Sequence, residues 1–268
     1  MAINNYNMKN KLSISFALVL MLGLVLFFLF VPLEEVNLTG YFSNYFVITK
    51  TTENFTPCPS DIYSPIGYGP FPAIVFSPGA LATKEEYKWF GKLLSDNGYI
   101  VLIYTPLGTR NADLNARVNC INQGVNYLAK QKTVDINRIG LAGHSAGGGA
   151  SIISVANPRI KTILVMAPYT GGTIAGQQEI VPLSEKINCP AIKIPSLFIT
   201  GGKDDVISSK DVNACYNLIS AQNKKWKEFT NANHYSFCNG LICWFKSGAV
   251  AENLKQEVLV WLNTNLKK

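Results

Sequence analysis

Histidine is almost absent from this chain: two in 268 residues, His144 and His234. A histidine-based metal centre therefore has almost no ligands to draw on. The six cysteines follow no zinc-ligand spacing either, so no metal and no cofactor is expected. No internal repeat and no low-complexity tract occurs, which excludes solenoids and arrays. The formal charge of +7 is spread over scattered lysines, without a basic stripe interleaved with aromatics, so a nucleic-acid partner is not expected. No segment resembles a separate lid domain.

What is present alternates. Strand-like runs at 45–50, 61–64, 73–77, 100–104, 139–142, 162–166, 196–200 and 225–229 are interleaved with helical patterns at 85–97, 111–131, 146–156, 209–220 and 249–266. Such alternation predicts an α/β fold, a mostly parallel central sheet of about eight strands flanked by helices. Residues 45–268 suit one catalytic-size domain with a single core.

Ahead of it, residues 12–33 carry no charged side chain. As a helix rising about 1.5 Å per residue they reach about 33 Å, enough for a hydrocarbon core of about 30 Å. Lys9 and Lys11 precede the run and Glu34 and Glu35 follow it, which places residues 1–11 in the cytoplasm and the domain outside. The expectation is a retained membrane anchor followed by a tether at 34–44. A cleaved signal peptide, giving a secreted or periplasmic product, is the alternative. An even cysteine count on an extracytoplasmic domain fits disulfides, with fifteen possible pairings. The spacing of Cys238 and Cys243 suits a local clip.

The chemistry-bearing stretch is Ile139-Gly-Leu-Ala-Gly143-His144-Ser145-Ala146-Gly147. An apolar strand runs into Gly-x-Ser-x-Gly, and small helix-compatible residues follow. This is the pattern of a nucleophile elbow, which presents a serine on a sharp strand-to-helix turn. Gly143 and Gly147 are needed where a Cβ would strike the neighbouring strand or helix. A serine needs a base. His144 lies within the elbow and points away from the position Ser145 presents, which leaves His234. The acid belongs between them, after the apolar run Ser196–Thr200, where Asp204 and Asp205 are adjacent. Asp204 has the more usual offset from the strand end. The expected set is Ser145, Asp204 and His234, with the amides of Ala146 and Ala80 as oxyanion donors. Tyr169, Leu81 and Tyr235 are expected to contact substrate, with Phe237 and Trp244 as further aromatics nearby. The long polar stretch 170–190 is a candidate pocket wall.

These residues resemble the dienelactone-hydrolase-related branch of the α/β-hydrolases, and within it the cutinase-like polyester hydrolases of PET-hydrolase type. The matching positions are Phe76-Ser-Pro78-Gly79, Val134-Asp135-Ile-Asn-Arg138-Ile-Gly, Gly143-His-Ser145-Ala-Gly147-Gly-Gly, Ala167-Pro168-Tyr169, Asp204 and His234, within residues 58–268. Dienelactone hydrolases carry cysteine where Ser145 stands. Polyester hydrolases usually carry an aromatic residue at the place of Ala80, methionine at that of Ala146 and tryptophan at that of Tyr169. The resemblance implies an α/β-hydrolase fold and a serine esterase acting through an acyl-enzyme on a small-molecule or lipid-like ester. Without a lid domain, short or medium acyl chains are expected, and the protein is expected to be a monomer. Alternatives are a lipid- or polyester-directed hydrolase (acetylhydrolase-, chlorophyllase- or cutinase-like), acyl transfer to an acceptor other than water, and a non-catalytic membrane-tethered binding protein.

Overall fold

The structure, a computed structural model, describes residues 49–55, 58–106, 113–171, 187–240, 243 and 250–267. The apolar run at 12–33, most of the 170–190 stretch and Trp244 lie outside the described residues. Among the described residues no helix is long and apolar enough to cross a membrane.

Eight strands form one sheet in the order β1-β2-β4-β3-β5-β6-β7-β8. They are β1 Thr49–Phe55, β2 Cys58–Ser64, β3 Phe71–Ser77, β4 Ile100–Tyr104, β5 Val134–His144, β6 Ile160–Met166, β7 Ser196–Gly201 and β8 Lys224–Phe229. From β4 to β8 neighbours run parallel, while β2 is antiparallel to both β1 and β4. The strand-rich, alternating reading of the sequence thus holds, with shifted bounds. The β5 strand begins at Val134 rather than Ile139 because its polar first half still pairs, Val134 lying opposite Phe71. The helix expected at 85–97 is a 3-10 turn, Lys84–Tyr87, followed by α1, Lys88–Ser95. The other helices are α2 Leu114–Leu128, α3 Ala146–Ile153, α4 Ser209–Leu218 and α5 Glu252–Leu266.

Successive side chains of a strand point to opposite faces, and here both faces are apolar. Val75, Leu102, Leu141, Val165 and Phe198 pack with α2, α3 and α4. Ile74, Phe76, Ile103, Leu164 and Leu197 pack with α1 and α5. A parallel sheet needs that double cover, and it leaves the carboxyl ends of the strands as the natural place for a site. All six cysteines are paired: Cys58–Cys120 ties β2 to α2, Cys189–Cys215 ties a 3-10 turn to α4, and Cys238–Cys243 closes a short loop.

One buried charge lies at the antiparallel edge. The Asp61 carboxylate on β2 is fully buried and meets Lys50 Nζ at 2.7 Å and Lys84 Nζ at 2.5 Å. Burial pushes its pKa up, but the hydrogen bonds and charges of the two lysines outweigh that and hold it below the usual value. A carboxyl whose folded pKa is depressed adds stability above its unfolded pKa and loses it as pH falls through the lower folded value. Asp61→Asn is therefore expected to reduce unfolding free energy at pH 7 by about 1.5–3 kcal/mol, the usual range for hydrogen bonds to charged groups. The deficit should shrink below about pH 4, where the unfolded-state carboxyl becomes protonated. Urea titrations at pH 7 and pH 3 check this; a deficit equal at both would count against the charged pair.

Candidate active site

Ser145 follows directly on β5 and sits at φ 54°, ψ −123°, a left-handed region that non-glycine residues rarely occupy. Its backbone is held on three sides. Ser145 N–H donates to Met166 O at 3.0 Å, and Ser145 O accepts from Tyr169 N at 2.9 Å and from Gly149 N at 3.1 Å. The flanking glycines are steric necessities. A Cβ on Gly143 would stand 2.5 Å from Gly147 O, and one on Gly147 would stand 2.0 Å from Ser77 O. As the first residue of α3, Ala146 has an N–H with no carbonyl partner inside its helix, at the positive end of the helix dipole.

His234 opens a 3-10 turn, His234–Phe237, capped reciprocally by Asn233 and Ser236. Its Nδ1 lies 2.9 Å from Asp204 Oδ2. The second carboxylate oxygen of Asp204 accepts from Val206 N at 2.9 Å and Ile207 N at 2.8 Å, which fixes its orientation. Asp205, the neighbouring candidate, is exposed. The loops carrying Asp204 and His234 are laced together by Gly202 N→Phe229 O and Lys203 N→Ala232 O, both 2.9 Å. With Nδ1 donating to the carboxylate, Nε2 of His234 is the ring nitrogen free to receive a proton.

Ser145, His234, Ala146, Ala80, Leu81, Tyr169 and Tyr235 line one cavity of about 260 Å³, walled further by Val206 and Ile207. All the expected substrate-contact residues but two are thus brought together. Phe237 is one exception: it turns inward and is buried, its ring 5.7 Å from that of His144, because the 3-10 turn directs it to the core. Trp244, the other, lies outside the described residues. A groove of about 360 Å³ beside β8 and the start of α5 contains none of the expected catalytic residues. Among the described residues no group of three or more His, Cys, Asp or Glu side chains could hold a metal ion.

Two site features were not foreseen from the sequence. The first is the part played by His144. Its Nε2 lies 3.0 Å from the carbonyl oxygen of His234, and its Nδ1 lies 2.7 Å from Tyr87 Oη. A carbonyl only accepts, so Nε2 carries the proton. Burial, and secondarily the charge of His234, hold His144 well below the ordinary histidine pKa, against the opposing pull of that carbonyl. Neutral His144 therefore accepts from the Tyr87 hydroxyl, and Tyr87 Oη in turn accepts from Gly79 N–H at 3.2 Å. A continuous chain joins the loop after β3, the elbow and the turn that carries His234. The second feature is Arg117 of α2, 1% exposed, whose Nη1 and Nη2 donate to Pro78 O at 2.6 Å and Gly79 O at 3.2 Å. Neither a tyrosine nor an arginine has a spacing that marks such a role.

A family model described as PET hydrolase-like matches residues 39–247. The chain belongs to the PET hydrolase-like family. It is similar to cutinase est2 of Thermobifida alba, 25% identical over 185 residues that cover 65% of this chain and 56% of the relative. It is similar also to the bis(hydroxyethyl) terephthalate hydrolase of Streptomyces coelicolor, 23% identical over 63% of this chain and 52% of the relative. Lipase 1 of a Moraxella species is 26% identical over 63% of this chain and 50% of its own. The chain spans about half the length of these curated relatives. In this PET hydrolase-like chain Ala80 and Ala146 present only methyl groups to the cavity, so Leu81, Tyr169, Tyr235, Val206 and Ile207 supply most of its apolar wall. Leu81 is itself held at φ 62° and is 58% exposed, an apolar side chain offered at the rim.

Proposed function

We propose that this protein is a serine hydrolase of carboxylic esters, of polyester type, acting through an acyl-enzyme. The observation that carries the reading is the strained Ser145 sharing a cavity with His234, whose Nδ1 is 2.9 Å from Asp204. In the proposed cycle Ser145 Oγ attacks the ester carbonyl carbon as its proton passes to His234 Nε2. Asp204 keeps the imidazole in the correct tautomer and stabilises the imidazolium. The amides of Ala80 and Ala146 receive the charge developing on the carbonyl oxygen. Collapse expels the alcohol, protonated by His234. Water, deprotonated by the same imidazole, then releases the acid and restores Ser145.

The relatives named for cutin, for bis(hydroxyethyl) terephthalate and for lipid support an ester substrate. The mostly apolar cavity of about 260 Å³ suits a short or medium acyl unit, alone or as one repeat of a chain. A fluorophosphonate probe is expected to add to Ser145, readable as a mass increase on its peptide, and p-nitrophenyl butyrate should compete with it. Soluble acid should appear from an aliphatic polyester film. Folded protein that neither labels nor releases acid would defeat the reading.

We place the domain outside the cytoplasm, on the strength of three disulfides and no free cysteine among the described residues, since such bonds persist in oxidising compartments. N-terminal sequencing of membrane and soluble fractions distinguishes a retained anchor at 12–33 from a product cleaved near residue 37.

A further inference from the structure

Two consecutive peptide units run from Pro78 to Ala80. The first joins Pro78 to Gly79 and the second joins Gly79 to Ala80. Both carbonyl oxygens, Pro78 O and Gly79 O, accept from the single guanidinium of Arg117, at 2.6 and 3.2 Å. The N–H of the first unit donates to Tyr87 Oη. The N–H of the second, that of Ala80, has no acceptor among the described residues and borders the cavity that holds Ser145. One planar amide therefore lies between a buried cation at its oxygen end and the place where a substrate oxyanion develops at its hydrogen end.

We infer that Arg117 is a positioning residue for ester hydrolysis: through the Gly79–Ala80 peptide it orients and polarises the Ala80 N–H toward the oxyanion. The inference rests on the ester-hydrolase reading and on Ala80 as a donor. A planar peptide cannot turn its N–H without turning its C=O, so a fork that grips both carbonyls fixes the direction of the free N–H. Hydrogen bonds in series polarise one another, and a charged donor at one end strengthens the bond at the other. The setting also argues for a purpose beyond stability. Arg117 is 1% exposed, and burial pulls its pKa down. It sits in the first turns of α2, where the helix dipole disfavours a cation. Tyr104 Oη, itself bonded to Ser77 Oγ, donates to the Arg117 carbonyl and braces that turn beside β3. Charge burial of this kind is costly, and the chain directs it at the two peptides that lead to Ala80.

The test compares the full chain with Arg117→Lys and Arg117→Met. A lysine keeps the charge but lacks the planar fork that spans two carbonyls. For p-nitrophenyl butyrate, kcat is expected to fall about tenfold in Arg117→Lys and about a hundredfold in Arg117→Met, the larger loss matching the lower end of what removal of an oxyanion donor itself costs. KM should change less than about threefold in both, a pattern that marks an interaction made mainly in the transition state. Butaneboronic acid, which becomes a tetrahedral anion on Ser145, should lose affinity by the same factors as kcat. Neutral butyramide should bind unchanged, and the acid limb of the kcat/KM profile should not move. A kcat within twofold of wild type in folded Arg117→Lys and Arg117→Met overturns the inference. So do parallel losses of butyramide and boronate affinity, or loss of the fold in both variants, since each assigns Arg117 to the shape of the loop alone. An inactive wild type defeats the ester-hydrolase reading itself, whereas an active wild type indifferent to Arg117 defeats only this one.

Discussion

Ser145→Ala is expected to lower kcat/KM for p-nitrophenyl butyrate by about four to six orders of magnitude, and His234→Ala by a similar factor, because nucleophile and base act as one unit. The double variant should be scarcely worse than either alone. Asp204→Asn should cost up to about 10⁴-fold: an amide at that position can present an N–H to His234 Nδ1 and so favours the wrong tautomer. Asp205→Asn, an exposed neighbour one residue away, should stay within about threefold. Steady-state rates on the five variants, with circular dichroism to confirm folding, provide the check. Comparable turnover by Ser145→Ala would remove the serine from the chemistry, and equal losses at 204 and 205 would remove the distinction drawn between the two carboxylates.

Gly147→Ala should be nearly as damaging by another route. The added Cβ would lie 2.0 Å from Ser77 O and 2.4 Å from Pro78 O. Both are backbone atoms at the end of β3, so no rotamer change relieves the contact. The elbow and the loop bearing Ala80 must separate, which disturbs the proposed nucleophile and one oxyanion donor together. The expected loss is about 4 kcal/mol or more of stability, the size that marks backbone clash in a core, with esterase activity falling at least as far as in the Arg117 variants. Gly124→Ala is the useful comparison. Its Cβ would meet only side-chain atoms of Leu102 and Val75, at 3.2 Å and beyond, so a thermal melt should show a much smaller shift. Similar melts for the two would mean that the elbow tolerates a side chain.

The elbow was legible in the sequence because its requirements are local: a strand, a serine and glycines within nine residues. The choice of His234 as the proposed base followed from scarcity, two histidines leaving little choice. For the proposed acid the offset from the strand end favoured Asp204 over its neighbour Asp205, but the two backbone amides that orient Asp204, those of Val206 and Ile207, carry no mark in the sequence. Strand bounds shifted where the ladder runs on through polar residues, as in the first half of β5 and in β1, Thr-Lys-Thr-Thr-Glu-Asn-Phe. Of the disulfides, Cys238–Cys243 could be read from its spacing. Cys58–Cys120 and Cys189–Cys215 join segments 62 and 26 residues apart, and nothing local selects them. Tyr87 and Arg117 were invisible for the same reason. Their partners lie 57 and 38 residues away in sequence, and only the completed sheet brings them to the elbow.

The hydrogen-bonded chain from Gly79 through Tyr87 and His144 to the carbonyl of His234 also orders events during synthesis. Its members leave the ribosome far apart in time, and the last to emerge is the proposed base. Until β7 and β8 have joined the growing sheet, the elbow histidine has no carbonyl to meet, and the serine beside it lacks its proposed proton acceptor. On the proposed chemistry, a chain released short of residue 234 would be silent toward esters rather than weakly active. On that reading competence waits for His234, which arrives with the C-terminal third of the chain.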